Sequence, residues 1–463
     1  MSTNATDAAP DSDRRAILRL GLPFVVGVLS SVLAGVIDTA MMGHYGALPL
    51  AAVASAAAVF DVFSTLALAT VAGHQILAAR LAGRGDGRRI AASLRSTAKL
   101  SAVVVMLVVA VTVLFGRQLT RLVASDAGPD AAVMGGQYLA AVAPTLVFGV
   151  IFGAVAATFN AYKLARLPMF AGLLTAGSNI VLDWLLIYGP GPFPRLGAVG
   201  NGLATSLSSL LGLLLLVTLA VRAKLWQRLR TSNPEPVDFD TSIPRLAVPA
   251  MVSTALDYAS TAVFFAIVGG LSTAALGGGR IAFHVMVLCY GLGTAFSSAV
   301  RILVGRAIGA GDTSRVRGTW RAGRSTLLLP GFAVGVALIL LREQIAGVFT
   351  TFPEVRTQVG QALIVIGVVI PLIAWNLTNV SIVRAFGHTK LDMYGNLTAA
   401  IVAQLPIAWL LGELLDFGVV GVFCGVVAYW LLRGSLLEIW ARRFVRESET
   451  AAAKETETAE ESR

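Results

Sequence analysis

ARLAGRGDGRRIAASLRS at residues 79–96 reads in register against GRAIGAGDTSRVRGTWRA at 305–322, 226 positions later. The same offset pairs Gly43 with Gly269 and Leu50 with Leu276, and an offset of 227 pairs Pro144 with Pro371 and Lys163 with Lys390. Further on, GAVG at 197–200 matches GVVG at 418–421; the spacing shortens because the first half carries an extra Pro-rich stretch, GPGPFPR at 189–195. A chain that repeats itself at such a distance is one unit built twice.

What the unit is follows from what flanks these loops. Apolar runs long enough to cross a bilayer, about 20 residues, occur twelve times: 16–42, 48–79, 96–115, 133–158, 168–188, 197–221, 243–269, 273–305, 322–341, 357–383, 393–412 and 417–440. The chain is 56% hydrophobic and 13% charged, with mean hydropathy +0.77. A soluble domain carries roughly 25% charged residues, so the main solvent is lipid. Residues 16–42 are too long for a cleaved signal peptide and lack a small-residue cleavage site. The reading is an all-α polytopic membrane protein of twelve transmembrane helices in two pseudo-symmetric six-helix bundles. Its expected parts are a disordered tail at 1–13, a first lobe at 14–222, a cytoplasmic linker at 223–242, a second lobe at 243–446 and a disordered, low-complexity tail at 447–463. An even span count per unit makes the repeat parallel, a plan that suits alternating access around a site between the bundles.

The net charge of +10 sits in short loops between apolar runs, where it attracts anionic headgroups rather than nucleic acid. The loops after spans 2 and 8 and the central linker are rich in Arg and Lys. The opposite loops hold only Arg117, Arg121, Arg195, Arg280, Arg342 and Arg356. The positive-inside rule therefore predicts that both termini are cytoplasmic, in an inner (cell) membrane. The two cysteines, Cys289 and Cys424, lie in apolar runs without ligand-spaced neighbours and read as packing residues, so no metal site is expected. GRGDGRR lacks a preceding strand and a Lys-Ser/Thr end, so it is no nucleotide loop. No catalytic constellation appears, and an enzyme is not expected.

The chemistry is in the few interior polar residues. Asp38 in span 1 and Asp183 in span 5 are carboxylates in hydrocarbon, which cost about 2.5–3.5 kcal/mol each on insertion scales. Asn179 shares a helix face with Asp183, and Thr205 follows the Gly-rich start of span 6. Oxygen ligands of this kind suit a proton or Na⁺; the bland alternative is helix–helix hydrogen bonding. The repeat places Phe264 and Leu410 opposite the two acids, so the fold itself does not demand them. Asp257 in span 7 is either a second-lobe site or wet at a helix end. Asp61 reads as pore-lining or structural. Asn376, Asn379 and Arg384 form a polar stripe on span 10, as packing glue or cavity lining. His74, Gln75 and Arg301, late in spans 2 and 8, are expected to snorkel or to close an inner gate. Aromatic residues make up 8% of the chain; Phe60, Trp184, Tyr258 and Tyr290 are the candidates for a flat ligand, and several methionines, among them Met42 and Met286, for an adaptable apolar wall.

DTAMMGHYGALPLAAVA at 38–54, NIVLDWLLIYG at 179–189, GAVGNGLAT at 197–205 and VGRAIGAGD at 304–312 resemble the multidrug and toxic compound extrusion (MATE) transporters, and the likeness runs over nearly all of 14–446. The resemblance implies two six-helix lobes and export of cationic, amphipathic drugs in exchange for H⁺ or Na⁺. It is nearer the damage-inducible, archaeal-like branch, whose first-lobe cation site matches Asp38, Asn179 and Asp183, with the Thr of its Ala-Thr pair matching Thr205. The norfloxacin-exporter branch has acids in spans 7 and 10. Here Asp257 is similar to the first of these, but span 10 has Asn376 and Asn379 instead. The second-lobe set thus lacks an acid, and coupling is expected in the first lobe. The resemblance implies no cofactor beyond the coupling H⁺ or Na⁺, a small-molecule cationic substrate, lipid as the surrounding partner, and a monomer. A lipid or lipid-linked-oligosaccharide flippase is the runner-up; it favours a cationic cavity for pyrophosphate, whereas the interior charges here read as mainly acidic. A major-facilitator transporter, suggested by LAGRGDGRR, and a non-transporting scaffold rank below it.

Overall fold

The structure, a computed structural model, describes residues 10–123, 128–230 and 242–461. Among the described residues every regular element is helical. Twelve helical stretches are long and apolar enough to cross a membrane: Asp13–Tyr45, Ala47–Arg84, Gly87–Val123, Gly128–Ala161, Arg166–Tyr188, Ala198–Arg222, Ser242–Leu271, Thr273–Gly309, Thr313–Leu340, Pro353–Ala385, Thr389–Leu414 and Gly418–Thr450. They correspond one to one with the twelve runs read from the sequence and are called spans 1 to 12 here. Most are longer than the apolar run alone, because polar ends continue the helix beyond the hydrocarbon-length segment.

The repeated loop shows why its sequence recurs. Helix Ala72–Arg84 ends at Gly85, whose φ of 74° belongs to the left-handed region. The Asp86 N–H then donates to the Leu81 carbonyl at 3.0 Å, and Asp86 Oδ1 accepts from the Arg89 N–H at 3.0 Å. In the second copy Gly311 has φ 73°, Asp312 N–H donates to the Ala307 carbonyl at 3.0 Å, and Asp312 Oδ1 accepts from Arg315 N–H at 3.1 Å. One dipeptide, Gly-Asp, closes one helix and caps the next. GAVG and GVVG recur for a similar reason. Gly197 and Gly418 both take φ 56°. A Cβ on Gly200 would collide with the Leu186 carbonyl, and one on Gly421 with the Leu411 carbonyl. The absent side chain lets span 6 start in backbone contact with the end of span 5, and span 12 with span 11.

The chain divides into two compact units, one of Pro23–Met251 and one of the residues up to Leu22 together with Val252–Arg463. Both divisions fall inside helices, spans 1 and 7, not in the central segment. Of that segment, 231–241 lie outside the described residues, and Leu225–Arg230 is a short helix whose Leu229 packs with Ala78, Ile90 and Ala161. In the Pro23–Met251 unit, Met42, Val53, Ala56, Leu139 and Ile187 join spans 1, 2, 4 and 5, while Phe159, Ala171 and Leu216 join spans 4, 5 and 6. In the other unit span 10 is central: 78% of its apolar window is buried, the highest share of any span. Exposed apolar stripes such as Val103, Met106, Leu107 and Leu114 on span 3, or Leu329, Phe332, Val336 and Leu340 on span 9, would be aggregation sites in water. At helical spacing on a membrane span they are the lipid face.

Two expectations need correction. The tail expected to be disordered at 447–463 continues the last helix to Glu461; its Ala, Glu and Lys residues are strong helix formers, and low complexity alone does not melt them. Of the tail at 1–13, residues 1–9 lie outside the description and helix begins at Pro10.

Candidate functional site

In the Pro23–Met251 unit, Asp38 of span 1 and Asp183 of span 5 lie near enough for the Asp38 charge to act on Asp183. Asp38 Oδ1 accepts a hydrogen bond from Asn201 Nδ2. Asp183 is fully buried, and neither of its oxygens has a hydrogen-bond partner; nor do Asn179 Nδ2 and Asn201 Oδ1. Three buried oxygens thus stand unpaired beside a fourth from Asp38. An orphaned buried polar group is costly and calls for an explanation. A proton taken up by a carboxylate, or Na⁺ held among carboxylate and amide oxygens, fits this donor set.

The elements that deliver these residues are locked together nearby. Tyr188 at the end of span 5 donates from its hydroxyl to the Met41 carbonyl of span 1 at 2.7 Å. Thr205 donates to the Asn201 carbonyl one turn earlier at 3.1 Å, so its hydroxyl hydrogen stays on its own helix. Asn179 and Thr205 line one cavity of ≈ 270 Å³, with Ser31, Thr175, Ser208 and Phe152 among its other walls. Asp38 and Asp183 do not line it. Asn201 and Tyr138 are the residues that sequence reasoning passed over. Tyr138, buried in span 4, feels the charges of Asp38, Asp61 and Asp183 together. Asn201 was in plain view, one residue after GAVG.

The second unit holds a different arrangement. Asp257 and Asn396 meet across spans 7 and 11: Asn396 Nδ2 donates to Asp257 Oδ1 at 2.7 Å. Tyr429 OH donates to Asn396 Oδ1 at 2.6 Å, and Arg433 Nη1 donates to Tyr429 OH at 2.9 Å. Arg433 also pairs with Asp392 at 2.9 Å, and Arg384 pairs with the other oxygen of Asp392 at 2.6 Å. Asp257 therefore does have a second carboxylate in its surroundings, but with guanidinium groups around it. Glu438, also buried, accepts from Arg324, Trp375, Asn379 and Arg442 at 2.8–2.9 Å. The interior is thus not mainly acidic, as the sequence reading has it. Arg433 and Glu438 lie inside the twelfth span, and Arg384 and Asp392 enter because spans 10 and 11 run longer than the apolar runs. These charges survive burial because each is paired.

A cavity of ≈ 370 Å³ in this unit is lined by Asp257, Tyr258 and Tyr290 with Phe283, Trp430 and Gln404 among others. Asn376 and Asn379 are not in its wall. Both are buried in packing, Asn379 between Trp320, at 3.3 Å, and Glu438. Phe60 packs among the apolar clusters of the first lobe, and Trp184 is half exposed; neither lines either cavity. His74 does not snorkel. It is fully buried, with Nδ1 2.9 Å from Ser93 Oγ and Nε2 2.9 Å from Thr158 Oγ1, tying span 2 to spans 3 and 4.

With this geometry in hand, three comparisons bear on identity. The MatE family model matches twice, over residues 23–185 and 249–410, one copy for each half of the repeat. The chain is 24% identical to the probable multidrug resistance protein NorM of Thermotoga maritima over 423 residues, 91% of each chain. Its fold superposes on the Vibrio cholerae MATE transporter VcmN in the bent form with TM-score 0.86 at 18% identity, covering 96% and 99% of the two chains. A MATE structure in complex with MaD3S gives TM-score 0.84 at 20% identity, covering 95% and 97%. A model that matches both halves of the repeat, across more than half of the chain, decides the matter: this multi-pass membrane protein belongs to the MatE family of transporters.

Proposed function

We propose that the chain is an antiporter that exports cationic, amphipathic small molecules by alternating access, driven by H⁺ or Na⁺ bound in the first lobe. The observation that carries the reading is Asp183: a fully buried carboxylate without a hydrogen-bond partner, within reach of Asp38. Two such acids repel when both are charged, so the pair favours taking up one positive charge. Coupling requires that this charge bind one conformation better than the other. Asp38 and Asp183 hold the cation, Asn201 orients Asp38, and Asn179 and Thr205 join the site to the adjoining cavity.

Both termini face the cytoplasm in this reading, and the protein resides in the inner (cell) membrane as a monomer. The flippase alternative needs an uncompensated cationic surface for pyrophosphate. The buried Arg433 and the partly buried Arg384 instead share Asp392, which favours export of cations. The test is uptake of a fluorescent cationic dye by proteoliposomes under an imposed pH or Na⁺ gradient. Gradient-dependent accumulation supports the antiporter; none with any cation of a broad panel rejects it.

A further inference from the structure

We infer that the face of the Pro23–Met251 unit where spans 2, 4 and 6 end binds the phosphate headgroup of an anionic phospholipid. The site lies between the short helix Leu225–Arg230 and the start of span 3. It holds lipid, not cargo, and is independent of the export reading above.

The helix is sided. Leu225 and Leu229, one turn apart, are buried, whereas Trp226 and Arg230, also one turn apart, are exposed. Leu229 packs with Leu81, Ile90 and Ala161, which seats the helix on the ends of spans 2 and 4 and the start of span 3. Gly87 completes the seat. A Cβ there would collide with the Arg228 carbonyl, so only glycine lets the two backbones meet. Arg88 and Arg89 follow Gly87 directly, and two basic stretches therefore share one surface. The Arg228 guanidinium lies over the Tyr162 ring, 5.7 Å from its centroid, which ties it to the end of span 4.

The internal repeat shows what this surface lacks. In the second copy Arg315, the counterpart of Arg89, pairs with Asp13 at 3.8 Å, and Arg317 pairs with Glu449. Both acids come from near the ends of the chain. In the first copy Arg89 meets only its neighbour Asp86, at 3.5 Å and in the open, where a pair contributes little. Among the described residues, Arg88, Lys224 and Arg230 have no carboxylate at ion-pair distance. Apolar packing thus gathers like charges that the described acids leave unmatched, and such a surface attracts an anion. A lipid headgroup suits it better than a free anion. Trp226 stands exposed among the cations at the ends of membrane spans, the level at which indole rings and headgroups lie. Guanidinium groups take phosphate oxygens two at a time.

The test is native mass spectrometry of the full-length protein in detergent, titrated with phosphatidylglycerol and with zwitterionic phosphatidylcholine as reference. The wild type should retain phosphatidylglycerol in preference. Arg228→Gln combined with Arg230→Gln should weaken phosphatidylglycerol binding roughly tenfold or more, the effect of two surface charges, and leave phosphatidylcholine unchanged. Arg315→Gln combined with Arg317→Gln, in the copy whose arginines have acids of their own, should change neither. A phosphatidylglycerol with a photoreactive headgroup, which needs no variant, should label peptides within 84–95 and 222–230. Equal retention of both lipids by the wild type, or labels confined to 306–324, overturns the site. Displacement of phosphatidylglycerol by an equal concentration of inorganic phosphate makes it a free-anion site and overturns the lipid assignment. So does a preference that appears only when Glu235→Gln, Asp238→Asn and Asp240→Asn are combined, since acids of the chain's own central segment would then be the occupant.

Discussion

Asp183 and Glu438 are both buried carboxylates, and their surroundings assign them opposite tasks. Glu438 accepts from four donors on three spans, so it is satisfied and structural. Asp183 accepts from none, so its charge is matched only when something binds. Replacing Glu438 by Ala removes the acceptor of the buried Asn379 amide and of Trp375, while the partly exposed Arg324 and Arg442 can turn to water; a buried donor left unsatisfied costs about 1–3 kcal/mol. The expected outcome is a marked fall in the thermal unfolding midpoint in detergent, with Glu438→Gln, which keeps an acceptor, losing less. Asp183→Asn should cause no such fall, because an uncharged amide is easier to bury than an unpaired carboxylate. That variant, and Asp38→Asn, should express and unfold like the wild type yet lose gradient-driven dye export. Asp257→Asn should be milder, since Asp257 already accepts from Asn396 and does not depend on a bound cation to be matched. If Asp257→Asn abolished export while Asp38→Asn preserved it, coupling would belong to the second lobe.

At the scale of elements, the glycines of the repeat make a sharp test. Gly200 and Gly421 occupy equivalent places where one span leaves along the backbone of the span before it, and neither position has space for a Cβ. Gly421→Leu should force spans 11 and 12 apart and lower yield of monodisperse protein, and Gly200→Leu should do the same to spans 5 and 6. Gly27→Leu, at a position with open space around it, should purify normally; equal losses in all three would defeat the close-contact argument. The spans themselves were legible because hydrocarbon length and hydropathy fix them without reference to any partner. The Gly-Asp loops were legible as a repeat, and their reason, a left-handed cap followed by an Asp cap, is written in two residues. The first-lobe acids were legible because a lone charge in an apolar run stands out. Arg433 and Glu438 stand in apolar runs too, and what makes them tolerable, Asp392 on span 11 and Trp375 and Asn379 on span 10, lies about 40–60 residues away. Pairing over that distance leaves no periodic mark, so the second-lobe network had no signal to read. The helical C-terminal tail was missed for another reason: composition was weighed as low complexity when its propensity already favoured helix.

At the scale of the whole molecule, orientation in the membrane follows from the charge of the loops and not from packing. The loops after spans 2 and 8 and the central segment carry clustered Arg and Lys, whereas the opposite side carries isolated arginines. Cytoplasmic loops retain such charge during insertion. Twelve spans, as found among the described residues, would return the chain to the side on which it began, so the two ends are expected to share a compartment. The loop between spans 1 and 2 then lies on the other side. Ala47, the first residue of span 2, marks that loop, and Ser448, late in the final helix, marks the C-terminal end. After replacement of Cys289 and Cys424 by Ser, a single cysteine introduced as Ala47→Cys should react in intact cells with a membrane-impermeant maleimide. One introduced as Ser448→Cys should react only after the cells are opened. Equal labelling of both from outside would mean that the span count or the direction is wrong. Labelling of Ser448→Cys alone would invert the molecule, and with it the side from which the coupling cation must enter.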